Sequence, residues 1–415
     1  LIMHMLYRLG VACYGAAIAL VSPFNAKAKQ LRLGRKNWEK RYAEILKPHQ
    51  NGIWMHCASL GEFEQGRPLL EALRASHPHL PIVLSFSSPS GFEPRKNWPG
   101  ADAVIYLPLD SPRAARRLLQ LIAPKMALWV KYEFWFGYMR ALQQAQVPLY
   151  LVSGVFREDQ HFFKWWGGWF RTQMLAFTHV FVQDQRSLEL AESMKLRASR
   201  TGDTRFDRVA SIAQSARDLP VIEHFKGTST LVVAGSSWPT EEGFIADYLS
   251  THAQTNSCFA VVPHEVDAAH INQLLQRFGE QGVLFSAYRP DGARDAKVRV
   301  LIVDRMGLLS SIYRYADVAV IGGGFGRGIH NTLEAAVYGI PVLFGSNYAK
   351  FNEAHELLAC GGAQTFANFE GFDHQLTALL ENTAQRERAG AAASAYIQAN
   401  TGATSAIMRH IFPAQ

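Results

Sequence analysis

The chain has 415 residues, 48% of them hydrophobic and 19% charged, a globular composition that excludes a fibrous, low-complexity or disordered protein. Its formal net charge of +7 suits an anionic partner: a nucleic acid, an acidic lipid or a phosphorylated substrate. The length predicts two domains, and the 4 cysteines, far apart and with no CxxC pair, speak against a disulfide framework or a zinc site.

The first predicted element is apolar. "LGVACYGAAIALVSPFNA", Leu9 to Ala26, carries no charge and falls just short of the roughly 20 apolar residues of a bilayer-spanning helix. A signal peptide would place its basic residues ahead of the apolar run, and here most of them follow it. A buried core helix stays open, and a membrane anchor is the preferred reading. The stretch Asn25 to Arg41 holds seven Lys and Arg against one Glu. That flank is expected to keep the body of the protein on the cytoplasmic side, beside acidic headgroups. The chain starts at Leu1, with Met3 and Met5 as candidate initiators.

Strands and helices then alternate. "GIWMHCAS" reads as a strand and "EFEQGRPLLEALRASHP" as a helix with an apolar stripe. "LPIVLSFS", "AVIYLPL", "MALWVKYE", "VPLYLVSG" and "HVFVQD" follow as strands. The second half repeats the scheme with "TLVVAGSS", "CFAVVPHE", "VLFSAY", "VRVLIVD", "VAVIGGG" and "IPVLFGS". Short apolar runs between helices predict buried parallel sheets. Polar and turn residues cluster over Ser211 to Ser229, so the expected division is an anchor and basic flank at 1–45, one doubly wound domain at 46–215 and another at 216–415. A cleft between them, outside the carboxyl ends of the strands, is the expected ligand site.

Several strand ends carry candidate chemistry. Ser59-Leu-Gly-Glu62 fits a capping box, which accounts for Glu62 structurally. A carboxylate facing the cleft there would also accept a proton from a hydroxyl nucleophile, with Gly61 permitting close approach. Glu133 ends the strand of "WVKYEFW", either as a functional carboxylate or as the partner of Lys131 or a residue across the sheet. "VAGSSWPTEE" runs from strand through Ser236 and Ser237 into a helix start, where free N–H groups favour phosphate; N-capping by Ser237 or Thr240 is the structural alternative. Pro263 and His264 end the next strand. "VAVIGGGFGRGIHNTLEAAVYGIPVLFG" resembles a dinucleotide fingerprint, but Arg327 and Ile329 stand where GxGxxG needs glycine and no acidic residue closes the following strand. Hydride chemistry is disfavoured, while the glycines still suit close approach to phosphate and Glu334 suits ribose hydroxyls. No Asp-x-Asp pair follows a strand, so no nucleotide-bound metal of that type is indicated. "HFFKWWGGWF" is dense in aromatics, for core packing or for a lipid surface.

Taken in order, "CASLGE", "VKYEFW", "VQD", "TGDTRFDR", "GSSWPTEE", "VVPHE" and the glycine-rich stretch resemble the 3-deoxy-D-manno-octulosonic acid (Kdo) transferases of lipopolysaccharide synthesis. The resemblance implies an α/β GT-B fold, two Rossmann-like doubly wound domains facing a cleft, with an N-terminal membrane-anchoring helix. It implies an inverting transfer of Kdo from CMP-Kdo to a lipid A precursor. Glu62 and Glu133 would be catalytic, Glu62 as general base. Arg205, Ser236, Ser237, Pro263, His264, Gly322, Gly323, Gly324, Asn331 and Glu334 would bind the donor, and Ser59, Gly61, Ser90 and Gly91 the acceptor. Arg205 or Arg327 would assist the departing phosphate. The implied partners are the donor, the lipid acceptor and anionic lipids of the inner membrane at its cytoplasmic face, with no nucleic acid, no cofactor and no metal. The chain departs from the family's common pattern at "KYEFWFG" and at His264, where many members carry Arg. The rivals are another GT-B enzyme, such as a nucleotide-sugar epimerase or a UDP-sugar transferase, and a non-catalytic nucleotide-sugar-binding membrane protein.

Overall fold

A computed structural model describes residues 2–292, 295 and 297–413; Leu1, where the upstream start was expected, lies outside them. The described strands form two sheets of 7 strands each. The first contains β1 (Ile53–Cys57), β2 (Ile82–Phe86), β3 (Ala103–Tyr106), β4 (Met126–Val130), β5 (Leu149–Gly154), β6 (His179–Val182) and β7 (Ala198–Arg200). The second contains β8 (Thr230–Ser237), β9 (Ser257–Pro263), β10 (Gly282–Leu284), β11 (Val300–Ile302), β12 (Val318–Ile321), β13 (Val342–Gly345) and β14 (Ala363–Phe366). Their orders are β3-β2-β1-β4-β5-β6-β7 and β10-β11-β9-β8-β12-β13-β14. Every pairing is parallel.

Helices cover both faces of a parallel sheet, so its inner strands read as unbroken apolar runs. Every residue of β1, β2 and β9 is buried accordingly. In the first sheet the edge of Trp54 packs on Trp129 and on Tyr138, with ring centroids 6.2 and 5.8 Å apart. Each such side chain contributes roughly 1.5–3 kcal/mol of burial. Gly66 brings the helix Leu60–Ser76 down onto this sheet: a Cβ there would lie 2.7 Å from Met55 Sδ and 3.0 Å from Val130.

The topology fixes where ligands are expected. Sheet growth reverses between β1 and β4 in the first sheet and between β8 and β12 in the second. The loops leaving adjacent strands diverge at such a point and open a crevice at the carboxyl ends. Glu62 follows β1 and Glu133 follows β4. Ser236 and Ser237 end β8, and the glycine run follows β12.

The chain folds as two compact units, one made of the residues up to Arg208 with those from Thr401 on, the other of Val209–Asn400. The last segment therefore does not belong with the residues before it, as a 216–415 domain would require. The Asp207 carboxylate accepts from the N–H groups of Gly402 and Thr404, each at 2.6 Å, and caps the helix Ala403–Ile411. Ile407 is buried in the same cluster as Leu69, Leu70 and Leu73.

The helix Ile2–Val21 is long and apolar enough to cross a membrane, yet one side of it docks on the first unit. His4, Tyr7, Val11, Gly15 and Ile18, three or four residues apart, are half-buried. Tyr7 donates to Asp110 at 2.5 Å and accepts from the N–H of Phe136 at 3.2 Å. Ile2, Met5, Leu6, Leu9 and Leu20 face outward. The aromatic segment divides the same way. Phe162 is buried and Trp169 packs on Tyr7 and Phe136, while Trp165 is 94% exposed and Trp166 47%.

Candidate active site

In the first unit the helix Leu60–Ser76 starts at the carboxyl end of β1 with Ser59 at its N-cap. The capping box is not formed: Ser59 makes no side-chain bond to a backbone N–H. Its hydroxyl donates instead to the half-buried Glu62 carboxylate. A Cβ on Gly61 would meet nothing nearer than Ser59 Oγ at 3.8 Å, so the space over this turn is open.

Glu133 is placed very differently. One of its oxygens accepts from Trp135 Nε1 at 2.5 Å, Ser87 Oγ at 3.1 Å and His56 Nε2 at 3.2 Å. Burial alone would raise its pKa, but these donors, His56 foremost, hold it below the ordinary carboxylate range. Trp54 Nε1 donates to Ser85 Oγ at 2.8 Å, and that hydroxyl lies 2.9 Å from His56 Nδ1. His56 Nδ1 also lies 3.1 Å from the Ser85 carbonyl, so both ring nitrogens are engaged, with Nε2 donating to Glu133. Both carboxylates are half-buried, but Glu133 is an anchor held by three donors, while Glu62, among the described residues, is held by the Ser59 hydroxyl alone.

Of the predicted acceptor contacts, the Ser90 hydroxyl pairs with Ser88 at 2.8 Å, and Ser88 bonds the carbonyl of Ala58 at 2.8 Å. These bonds tie the turn after β2 to the turn after β1. Gly91 is buried, not a contact surface: a Cβ there would lie 2.3 Å from the Phe86 ring and 3.0 Å from the Ser59 backbone. Arg205 belongs to the first unit instead of the donor cluster of the second. Its N–H and Nε bind the buried carboxylate of Asp203 at 2.9 and 2.8 Å, and Gln65, on the Glu62 helix, reaches both Asp203 oxygens at 3.3 Å.

The second unit gathers Ser236, Ser237, Pro263, His264 and the glycines at neighbouring strand ends. Ser236 has φ +50, a left-handed conformation that costs a non-glycine residue on the order of 1–3 kcal/mol and recurs at functional turns. A Cβ on Gly322 would lie 2.0 Å from its carbonyl. The Ser237 hydroxyl is committed to buried Glu242 at 2.9 Å, whose other oxygen meets His270 Nε2 at 3.0 Å. Asn331 Nδ2 donates to half-buried Glu334 at 2.9 Å. Arg327 is exposed.

One expectation is overturned here. The N–H groups of Gly323 and Gly324 are not open to phosphate, because Glu241 Oε1 accepts both, at 2.9 and 3.2 Å. Glu241 sits in the first turn of the helix Pro239–Thr251 and is 1% exposed. Burial pushes its pKa up, against the pull of these backbone bonds. The chain has filled its own anion nest.

Three rings complete this strand end. His264 stacks on His330 at 4.3 Å and on Trp238 at 5.0 Å. Trp238 Nε1 donates to His330 Nε2 at 2.9 Å. Burial, and then the nearby His264, lower the pKa of His330 to about 4. An indole can only donate, so the neutral His330 carries its proton on Nδ1. His56, Trp238, Glu241 and His330 were not singled out from the sequence. The one available signal was His56, a polar residue inside the apolar run "GIWMHCAS", which must find a partner when buried.

Two doubly wound parallel sheets, each with its polar cluster at the switch point, define the GT-B fold class. The fold is shared with MurG of Acinetobacter baumannii, at a TM-score of 0.55 and 12% identity over 87% of this chain and 99% of that one. Residues 36–208 match the family described as 3-Deoxy-D-manno-octulosonic-acid transferase (kdotransferase). Over 371 residues the chain is 29% identical to the 3-deoxy-D-manno-octulosonic acid transferase of Bordetella pertussis, covering 85% of each. It is 28% identical to that of Aquifex aeolicus (strain VF5) over 77% of this chain and 83% of the relative. The chain is thus similar to 3-deoxy-D-manno-octulosonic acid transferases over most of its length.

Proposed function

We propose that the protein transfers Kdo from CMP-Kdo to a lipid A precursor at the cytoplasmic face of the inner membrane, with inversion and without a metal. The observation that carries the assignment of the base is the contrast between the two strand-end carboxylates. Glu133 is occupied by three donors, whereas Glu62 stands half-exposed over an open turn.

In this reading Glu62 takes the proton of an acceptor hydroxyl as its oxygen attacks the anomeric carbon of Kdo. The bond from that carbon to the phosphate oxygen of CMP breaks from the opposite face, and CMP departs with the electron pair. Glu133, through His56 and Ser87, fixes the neighbouring turns. On the donor side the cluster at β8 and β9 holds the nucleotide. The His330 Nδ1–H replaces the glycine amides as a donor to phosphate, since Glu241 already occupies those. The outward apolar face of the helix Ile2–Val21 and exposed Trp165 support contact with lipid, and the basic flank supports anionic headgroups.

The test follows CMP release and product mass with CMP-Kdo and a tetraacylated lipid A precursor, in EDTA. Glu62→Gln is expected to lower kcat by about 10²–10⁴-fold, with unchanged CMP-Kdo binding and an unchanged melting temperature. Near-normal turnover of the variant would make Glu62 a structural residue. Loss of wild-type turnover in EDTA, restored by a divalent cation, would remove metal independence.

A further inference from the structure

A cavity of about 540 Å³ opens between the helices Ile2–Val21 and Ala26–Arg35 and the residues after β3. One wall is apolar, made of Ile18, Leu33 and Leu109. Lys29, Arg32 and Lys36 line the other. Among the described residues, no carboxylate pairs with any of the three.

Arg35 also lines this cavity and is mostly withdrawn from solvent. Its Nε donates to the carbonyl of Leu107 at 2.8 Å and its Nη2 to that of Ser87 at 3.3 Å. Its Nη1 is withdrawn from solvent, the guanidinium also meets the Tyr14 side chain, and among the described residues no carboxylate pairs with it. A buried guanidinium without a counter-charge is costly, and an anion beside it removes that cost. The volume lies within the roughly 300–1,000 Å³ of ordinary ligand sites. A charged end and an apolar wall in one cavity fit a molecule that carries both a phosphate and a hydrocarbon chain. The cavity lies beneath the helix whose opposite side is exposed and apolar.

We propose that this cavity is a binding site for one phosphorylated acyl lipid. Its phosphate rests among Lys29, Arg32, Lys36 and Arg35, and an acyl chain runs along Ile18, Leu33 and Leu109. The site is separate from the carboxylates assigned to transfer, and a binding measurement tests it independently of that assignment.

The experiment uses the full chain in an uncharged detergent and three probes: dihexanoyl phosphatidic acid, dihexanoyl phosphatidylcholine and inorganic phosphate. Saturable binding of the phosphatidic acid at one site, at least tenfold tighter than either other probe, is expected. Two variants read the two halves of the site. Lys29→Gln with Lys36→Gln removes charge, and Leu33→Trp fills the cavity from an exposed position. Each is expected to weaken phosphatidic acid at least tenfold with an unchanged melting temperature. Unchanged affinity in both variants overturns the proposal. So does inorganic phosphate binding as tightly as the lipid, which would leave a plain anion site.

Discussion

At the scale of single residues, the most informative group is Glu241, a carboxylate in a nest of glycine amides. Its removal leaves two buried N–H groups without partners, and each unpaired buried group costs about 1–3 kcal/mol. Glu241→Ala is therefore expected to lower urea-unfolding stability by at least about 2 kcal/mol, while Glu241→Gln, which keeps one acceptor oxygen, loses less. Equal losses would show that packing, not the two bonds, holds the turn. Glu62, Glu133 and the glycine run were all legible as strand-end residues. Their roles were not, because spacing does not reveal which acceptor a buried amide finds. "SLGE" satisfies the capping-box pattern, yet Ser59 turns onto Glu62; "GGG" satisfies the phosphate pattern, yet a glutamate about 80 residues upstream takes its place.

At the scale of elements, the inner strands were readable because burial on both faces demands continuous apolar sequence. β7 and β14 were not foreseen. "ASR" and "AQTF" are short and partly polar, as the last strand of a sheet can be when only one side pairs. "VLFSAY" shortens for a similar reason to Gly282–Leu284 at the opposite edge. The terminal helix could not be placed from sequence, since its attachment depends on Asp207, nearly 200 residues earlier. Losing a capping carboxylate costs about 0.5–2 kcal/mol. Asp207→Ala is expected to raise hydrogen exchange across the helix Ala403–Ile411 while β1 and β4 stay protected. Unchanged exchange there would mean that Ile407 alone secures the helix.

At the scale of the whole molecule, each unit carries an imidazole made acid-labile by its surroundings. His179 in the first unit and His330 in the second both have pKa values lowered to about 4, chiefly by burial, with His410 and His264 as the next causes. In the unfolded chain both titrate near the ordinary value of about 6.5. Between these values the unfolded state binds more protons, so stability rises with pH. It is complete above about 6.5 and falls as pH drops toward 4. Glu133 adds to the loss at still lower pH, because its lowered pKa stabilises the fold only while it is ionised. Thermal melts from pH 7 to 4 are expected to decline, and the double variant His179→Gln with His330→Gln to flatten the decline. A decline of equal slope in the variant would assign the acid sensitivity to other groups.

Asp207 and its grip on Gly402 and Thr404 also impose an order of events during synthesis. The first unit draws on segments from both sides of Val209–Asn400 in the chain. The docked N-terminal helix and the whole first sheet leave the ribosome early, but the helix that closes over Leu69, Leu70 and Leu73 is made only after every residue of the second unit. Until then that hydrophobic surface is uncovered on a nascent chain whose leading helix is itself apolar. The last step in maturing the first unit is thus timed by completion of the second.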